Sequence, residues 1–342
     1  MLDGKKRKRE YDVLKGMGII LVVLGHSITK HFAAENILAN YLRTLIYLIH
    51  MPLFFCVAGI LYEISKERYG NKVRYIKKKF CLYIIPYISF SLIIYFLSFI
   101  GSNTPVLNKV FSSIGLGFPG FYSTILGIFT YTNHMDGHLW FAPVMFLVLC
   151  MMRLSDNIIP FRIQMILALI VHFFSRMYLA HIGINEIIWK TGMYYLIFCT
   201  GRLLSKRENN YNLLVELGSS VIFVLLVIPR LILCGAETTL IKCVLEYCIG
   251  ILGTLILYRI ACCINENSIG RYLSYVGRNS YIIYFLHHPY IVLTVETLLG
   301  LINVPWYCCI VFATVLGTVI PLIINKTIIQ KSWLLKKVLL GS

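Results

Sequence analysis

Residues 12–26 read DVLKGMGIILVVLGH. The middle of this stretch, 19–24, is Ile-Ile-Leu-Val-Val-Leu without interruption, and its ends carry a carboxylate and a cation (Asp12, Lys15) and an imidazole (His26). Lys15 and His26 stand eleven residues apart, close to three helical turns and roughly 16 Å along a helix axis. They share a face, and Asp12, three residues before Lys15, lies on it too. Ionisable groups in hydrocarbon are costly, so they are the first candidates for function. The plain alternatives are an imidazole that ties two helices together by a hydrogen bond, and an ordinary interfacial Asp12–Lys15 pair.

The rest of the chain repeats this apolar character. Of 342 residues, 58% are hydrophobic and 14% charged, against about 25% charged in a typical soluble domain; mean hydropathy is +0.76. So little charge cannot coat the soluble cores that a chain of this length would build. A disordered chain, a disulfide-rich miniprotein and an ordinary cytosolic enzyme are excluded. The weak alternation of a membrane barrel is absent. The fold class is all-α, a polytopic integral membrane helical bundle. Net charge is +17, from 32 Lys and Arg against 15 Asp and Glu. The basic residues cluster in alternate loops, which is the bias of cytoplasmic loops, so no nucleic-acid partner is expected. The 11 cysteines fall mostly in apolar stretches, and no CxxC pair occurs. They read as small packing residues, neither a disulfide frame nor a zinc site.

Apolar runs predict about ten transmembrane helices, over 14–32, 43–63, 80–100, 138–153, 163–180, 186–204, 213–234, 239–262, 278–299 and 304–325, each near the roughly 20 residues that a bilayer needs. The basic cluster 5–9 precedes an apolar stretch with no small-x-small cleavage site, so the first run reads as a membrane helix rather than a cleavable signal. With the N-terminus in the cytoplasm, the inside loops hold Lys66, Arg68, Lys72, Arg74, Lys77, Lys78 and Lys79, then Arg153 and Arg162, then Arg202, Lys206 and Arg207, then Arg271 and Arg278. The outside loops are poor in cations, with Lys109 in the long 101–137 loop. Both termini are then cytoplasmic, as an even number of spans requires. The expectation is a single multi-pass domain over 1–342 in the cell (inner) membrane, with a basic N-terminus 1–13 and a basic tail 326–342.

Further polar groups interrupt the later spans. His50 precedes Met51-Pro52-Leu53-Phe54-Phe55, and Pro52 is expected to kink its helix. His50 and His26 lie at similar distances from the outer ends of neighbouring antiparallel helices, so both imidazoles should reach comparable depth. They could handle protons, hold a metal or join helices; no HxxxH or HxxE run supplies a third ligand, and no metal is expected. His138-Leu139-Trp140-Phe141, after His134 and Asp136, is either an aromatic belt or a rim that stacks sugars. His287-His288-Pro289 places two imidazoles about 100° apart on a helix, so at most one should face a given cleft. Arg74, Lys78 and Lys79 fit anionic lipid headgroups, or the phosphates of a cofactor such as coenzyme A.

The run 12–26, with a basic residue eleven positions before a histidine, resembles the opening of the acyltransferase family 3 membrane proteins, although Arg is commoner than Lys at the basic place. His50-Met51-Pro52-Leu53-Phe54-Phe55-Cys56-Val57-Ala58-Gly59 resembles the family's second-helix signature. His138-Leu139-Trp140-Phe141-Ala142-Pro143 is similar to a later element, and Tyr284-Phe285-Leu286-His287-His288-Pro289 to a late-helix segment. The resemblance implies O-acylation of surface or exopolysaccharide sugars outside the cytoplasm, with acetyl-CoA from the cytoplasm as co-substrate. It implies His26 as the essential histidine and Lys15 as its basic partner. Asp12 and His50 are expected to assist them, Arg74, Lys78 and Lys79 to hold coenzyme A, and His138, Trp140 and His287 to meet the glycan acceptor. No attached esterase-like domain is expected. The rival class is a proton-coupled exporter of a glycan precursor, which an internal repeat would favour; none is visible. A passive envelope scaffold is a third class, which ionisable groups on one buried face argue against.

Overall fold

The computed structural model describes residues 8–104, 108, 117–132, 137–205 and 213–341, with the backbone alone for Lys30, Tyr69 and 213–216. Among the described residues the regular structure is helical, with no strand. The longer helices are α1 (Arg9–Ser27), α3 (Ile37–Ser65), α4 (Lys72–Ser102), α6 (Phe141–Ser155), α7 (Phe161–Phe174), α8 (Glu186–Leu204), α9 (Leu213–Ile232), α10 (Leu240–Ile264) and α14 (Trp306–Thr327). Shorter ones are α2 (Lys30–Glu35), α5 (Phe121–Thr130), α11 (Ser268–Arg278), α12 (Ser280–Leu286), α13 (Val292–Leu301) and α15 (Trp333–Leu340). Polar side chains start several of them. Thr29 Oγ1 accepts from Phe32 N at 3.3 Å, Asn71 Oδ1 from Val73 N at 2.8 Å and Asn267 Oδ1 from Gly270 N at 2.8 Å, each satisfying an orphan donor of a first turn.

Among the described residues, seven helical segments are long and apolar enough to cross a bilayer: Ile37–Arg68, Lys72–Ser102, Gly137–Ser155, Phe161–Leu179, Leu240–Ile264, Ser280–Leu301 and Trp306–Lys331. The other three predicted spans are also helices, α1, α8 and α9. Charge sets the first two apart: α1 contains Arg9, Glu10, Asp12 and Lys15, and α8 contains Glu186, Lys190 and Arg202. In α9 the apolar stretch among the fully described residues is Leu217–Ile232, and the apolar Leu213, Leu214 and Val215 precede it in the same helix. Helix α5 lies in what the sequence offered as loop; it is apolar but, at 10 residues, too short to span. Pro52 lies inside the continuous α3. All eleven cysteines are free thiols.

The chain divides into two compact units, Met1–Ala58 with Leu204–Leu322, and Gly59–Leu203 with Ile323–Ser342. In the first, α1 crosses α11 at backbone contact. A Cβ on Gly16 would strike the Leu273 carbonyl, and one on Gly277 would strike the Asp12 carbonyl. Glycine at both places lets the axes approach as small residues do in membrane helix pairs. Gly250 likewise admits α10 against Pro52 and the Leu48 carbonyl, and Tyr11 of α1 stacks on Tyr258 of α10 at 5.6 Å. In the second unit Gly59 abuts the Phe198 carbonyl of α8, and Tyr87 of α4 donates to Ile128 O of α5 at 2.7 Å.

Candidate functional site

Four imidazoles gather in the first unit. His26 lies in the last turn of α1. Its ring centroid is 4.9 Å from that of His288 and 5.2 Å from that of His287. Tyr47 stands edge-on to His26 at 6.2 Å and perpendicular to His50 at 5.0 Å. The Arg43 guanidinium lies 4.6 Å from the Tyr47 ring centroid. The tyrosine thus links the two histidines that the sequence placed at one depth, and an arginine caps it.

The pair 287–288 departs from expectation. On a continuous helix only one of them would face His26, yet both rings reach it. Helix α12 ends at Leu286, and His288 has φ −127° and ψ 150°. This extended backbone is what a residue before proline prefers, and the His288–Pro289 peptide is cis. Leaving the helical screw swings the second ring round to the side of the first. Pro289 stands at this interruption of the helix.

Hydrogen bonds fix how two of the rings are protonated. His50 Nδ1 is 2.7 Å from Ile46 O, and His287 Nδ1 is 2.9 Å from Ile283 O. A carbonyl only accepts, so each Nδ1 carries the hydrogen and the neutral ring keeps its lone pair on Nε2. Both are i to i−4 contacts inside the histidine's own helix, so the backbone itself sets the tautomer. Neighbouring imidazoles poised this way can take up and return a proton at ring nitrogens. Among the described residues no group of three or more His, Cys, Asp or Glu is placed to hold a metal ion.

The other predicted residues are placed as follows. Lys15 Nζ is 2.8 Å from Asp12 Oδ1, with the Asp12 side chain 5% exposed and that of Lys15 23%. The two form an ion pair at the α1–α11 crossing, and α1 runs continuously from them to His26, a rise of roughly 16 Å. The remaining candidates lie in the second unit. Arg74 and Lys78 are exposed near the start of α4, and Lys79 is half-buried. Lys79 Nζ lies 5.3 Å from the Tyr75 ring centroid, which Arg153 also faces at 5.6 Å. His138 is buried. Trp140 stacks on Tyr194 at 5.3 Å and carries Lys190 Nζ 3.9 Å from its ring centroid; Lys190 also pairs with Glu186. His134 and Asp136 lie outside the described residues.

Reading the sequence missed Arg43 and Tyr47 and left His288 without a role. The first two had a signal: Arg43, Tyr47 and His50 follow at i, i+4 and i+7, which is one face of a helix. It also missed a buried ionic cluster in the second unit. Arg202, read only as loop charge, pairs through Nε with Glu63 and through Nη1 with Asp156 Oδ1 at 2.6 Å. The Tyr62 hydroxyl donates to Asp156, and Lys66 Nζ meets Glu63 at 2.7 Å. These carboxylates and cations come from the ends of three helices, and nothing local in the sequence pairs them.

Comparison with known proteins agrees with the resemblance drawn from the motifs. The model of acyltransferase family 3, described as an acyltransferase domain, matches residues 8–323, which is nearly the whole chain. No curated protein and no solved structure matches. The matched region includes the His26 cluster, the Asp12–Lys15 pair and all but the last few residues of the apolar helices. The chain belongs to acyltransferase family 3 and is a multi-pass membrane acyltransferase.

Proposed function

We propose that the protein transfers an acetyl group from acetyl-CoA to a hydroxyl of a cell-surface or exopolysaccharide sugar, in the cell (inner) membrane, with both termini in the cytoplasm and about ten helices spanning. The observation that carries this reading is the meeting of His26 with His287 and His288, at 5.2 and 4.9 Å, inside a segment that matches the acyltransferase family. Acyl transfer to an alcohol needs a base for the hydroxyl proton and an acid for the leaving thiolate, and imidazole serves both ends of the exchange.

The acceptor hydroxyl oxygen attacks the thioester carbonyl carbon while His26 takes its proton. The tetrahedral intermediate collapses, the C–S bond breaks, and the proton passes from imidazolium to the coenzyme A sulfur. The products are the sugar ester and free thiol. His50 and His287, each with its lone pair on Nε2, support the proton's movement. The exposed cations Arg74 and Lys78, with Lys79, suit the phosphates of a donor arriving from the cytoplasm. Lys15, held by Asp12 at 2.8 Å, adds a positive charge on the helix that leads to His26. His138 and Trp140 remain candidates for acceptor contact.

Labelled acetyl transfer from acetyl-CoA to surface glycan, measured in membranes, tests the reading. Wild-type membranes should label the glycan, and His26→Ala membranes with an equal amount of protein should not, a loss on the order of 10²–10⁴-fold. Transport of glycan without acylation, or full transfer by His26→Ala, would overturn it.

A further inference from the structure

A second feature of the first unit lies beyond the histidine cluster. Helix α2 and the turn between α13 and α14 enclose an open cavity of about 360 Å³, within the few-hundred-Å³ range of small-molecule sites. Its apolar part is made by Phe32 and Trp306, both half-buried and packed on a core of Ile28, Ala39, Ile46 and Ile310. Its polar rim is His31, Glu35, Asn36 and Asn303. The connections it borders, 33–42 and 300–303, are ones that the charge pattern places outside the cytoplasm.

The rim selects the ligand. His31 Nε2 and Glu35 Oε1 stand 3.5 Å apart, so the imidazole is paired with the carboxylate, and the carboxylate repels a phosphate. The two amides offer donors and acceptors together. Asn36 Oδ1 accepts from Leu38 N at 2.9 Å and Ala39 N at 3.2 Å, which fixes the side chain and leaves its NH₂ donors for other use. Asn303 adopts φ +55°, a left-handed turn position that Asn tolerates. An aromatic floor under a polar rim of donors and acceptors suits a ring with apolar C–H faces and equatorial hydroxyls. A lipid chain would leave the rim unsatisfied, and a nucleotide would need cations.

We propose that this cavity is a binding subsite for a glycosyl unit of the acceptor, remote from the reacting hydroxyl. The proposal rests on the reading of the protein as a glycan O-acyltransferase. The distance supports remoteness: Asn36 precedes Tyr47 by eleven residues, with all but the first in the continuous α3, a rise of roughly 16 Å. A sugar held at the Asn36 end of the cavity is therefore set off along α3 from Tyr47 and the histidines beside it. Binding at such a distance holds the acceptor in register without touching the chemistry, and it favours polymer over free sugar.

The test uses the full chain in nanodiscs and the host's surface polysaccharide, hydrolysed to oligosaccharides of graded length. Binding is measured without acetyl-CoA, and KM and kcat for acetyl transfer are measured across the lengths. Wild type should bind and use long oligosaccharides at lower KM than a single repeat. Trp306→Ala should raise KM for the long ones roughly three- to tenfold, the size of one lost aromatic contact, and flatten the dependence on length. Trp306→Phe should restore part of it. Asn303→Gly keeps the turn and removes the amide; it should raise KM in the same direction, so the test survives if Trp306→Ala does not fold. Unchanged binding and length dependence in Trp306→Ala and Asn303→Gly, or in Asn303→Gly alone where Trp306→Ala does not fold, in a chain that still transfers acetyl, would overturn the subsite and leave the acyltransferase reading standing. Glycan binding that weakens in these variants, in a wild type that transfers no acyl group, would sink the acyltransferase reading and leave the subsite.

Discussion

His287 donates through Nδ1 to the carbonyl of Ile283 at 2.9 Å, so its two nitrogens have separable tasks. In His287→Asn the amide NH₂ can replace the Nδ1 donor, while nothing replaces Nε2. In His287→Gln the amide reaches where Nε2 was. If Nε2 takes part in proton movement, Asn loses acetyl transfer while melting like wild type, and Gln retains more of it. If His287 only anchors its own helix, Asn is the milder change. Transfer rates and thermal melts of the two variants decide between them. The same contrast applies at His50, whose Nδ1 donates to Ile46 O at 2.7 Å. Which histidines matter was partly legible from sequence, because an imidazole in an apolar run stands out by its cost. Which of them meet was not. The i, i+1 spacing of 287 and 288 argued against a shared face, and the extended backbone at His288 reversed that.

At the scale of elements, two contacts hold the helices that carry these side chains. Gly277 of α11 lies against the Asp12 carbonyl of α1. Gly277→Val forces the axes apart and should destabilise the protein by about 1–3 kcal/mol, read as a lower melting temperature in detergent. The effect should exceed that of Gly218→Val, where an added Cβ meets open space. In the second unit, Arg202 is shared by Glu63 and Asp156, with side chains 6%, 12% and 8% exposed. Asp156→Ala strands part of that charge and should cost about 3–5 kcal/mol. The triple variant Glu63→Gln, Asp156→Asn, Arg202→Met leaves no charge behind and should recover part of the loss. A melt of Asp156→Ala that matches wild type would mean that water already reaches the cluster. The helices themselves were legible, since apolar runs of 20 residues admit little else. The pairing of Arg202 with residues 46 and 139 positions away was not, because sequence separation carries no record of which helix ends meet.

For the whole molecule, the basic loops set the expected orientation. A C-terminal fusion to a reporter active only in the cytoplasm should be active, and the same reporter inserted at Gly235 should be silent; the reverse pattern would invert the assignment of donor and acceptor sides. The amino-acid sequence by itself determined the class of the protein. Hydrophobic content of 58% with 14% charge leaves a helical membrane protein as the chain's way to satisfy its backbone in hydrocarbon, and four motifs in order pointed to the family. Tertiary structure alone decided that His26 is met by both His287 and His288, that Arg43 and Tyr47 join them, and that Phe32 and Trp306 floor a cavity. The reason is geometric. Burial cost and periodicity are local and act on each helix separately, whereas a site is made where helices distant in sequence cross, and those crossings depend on glycine contacts and a broken helix whose partners the sequence does not name.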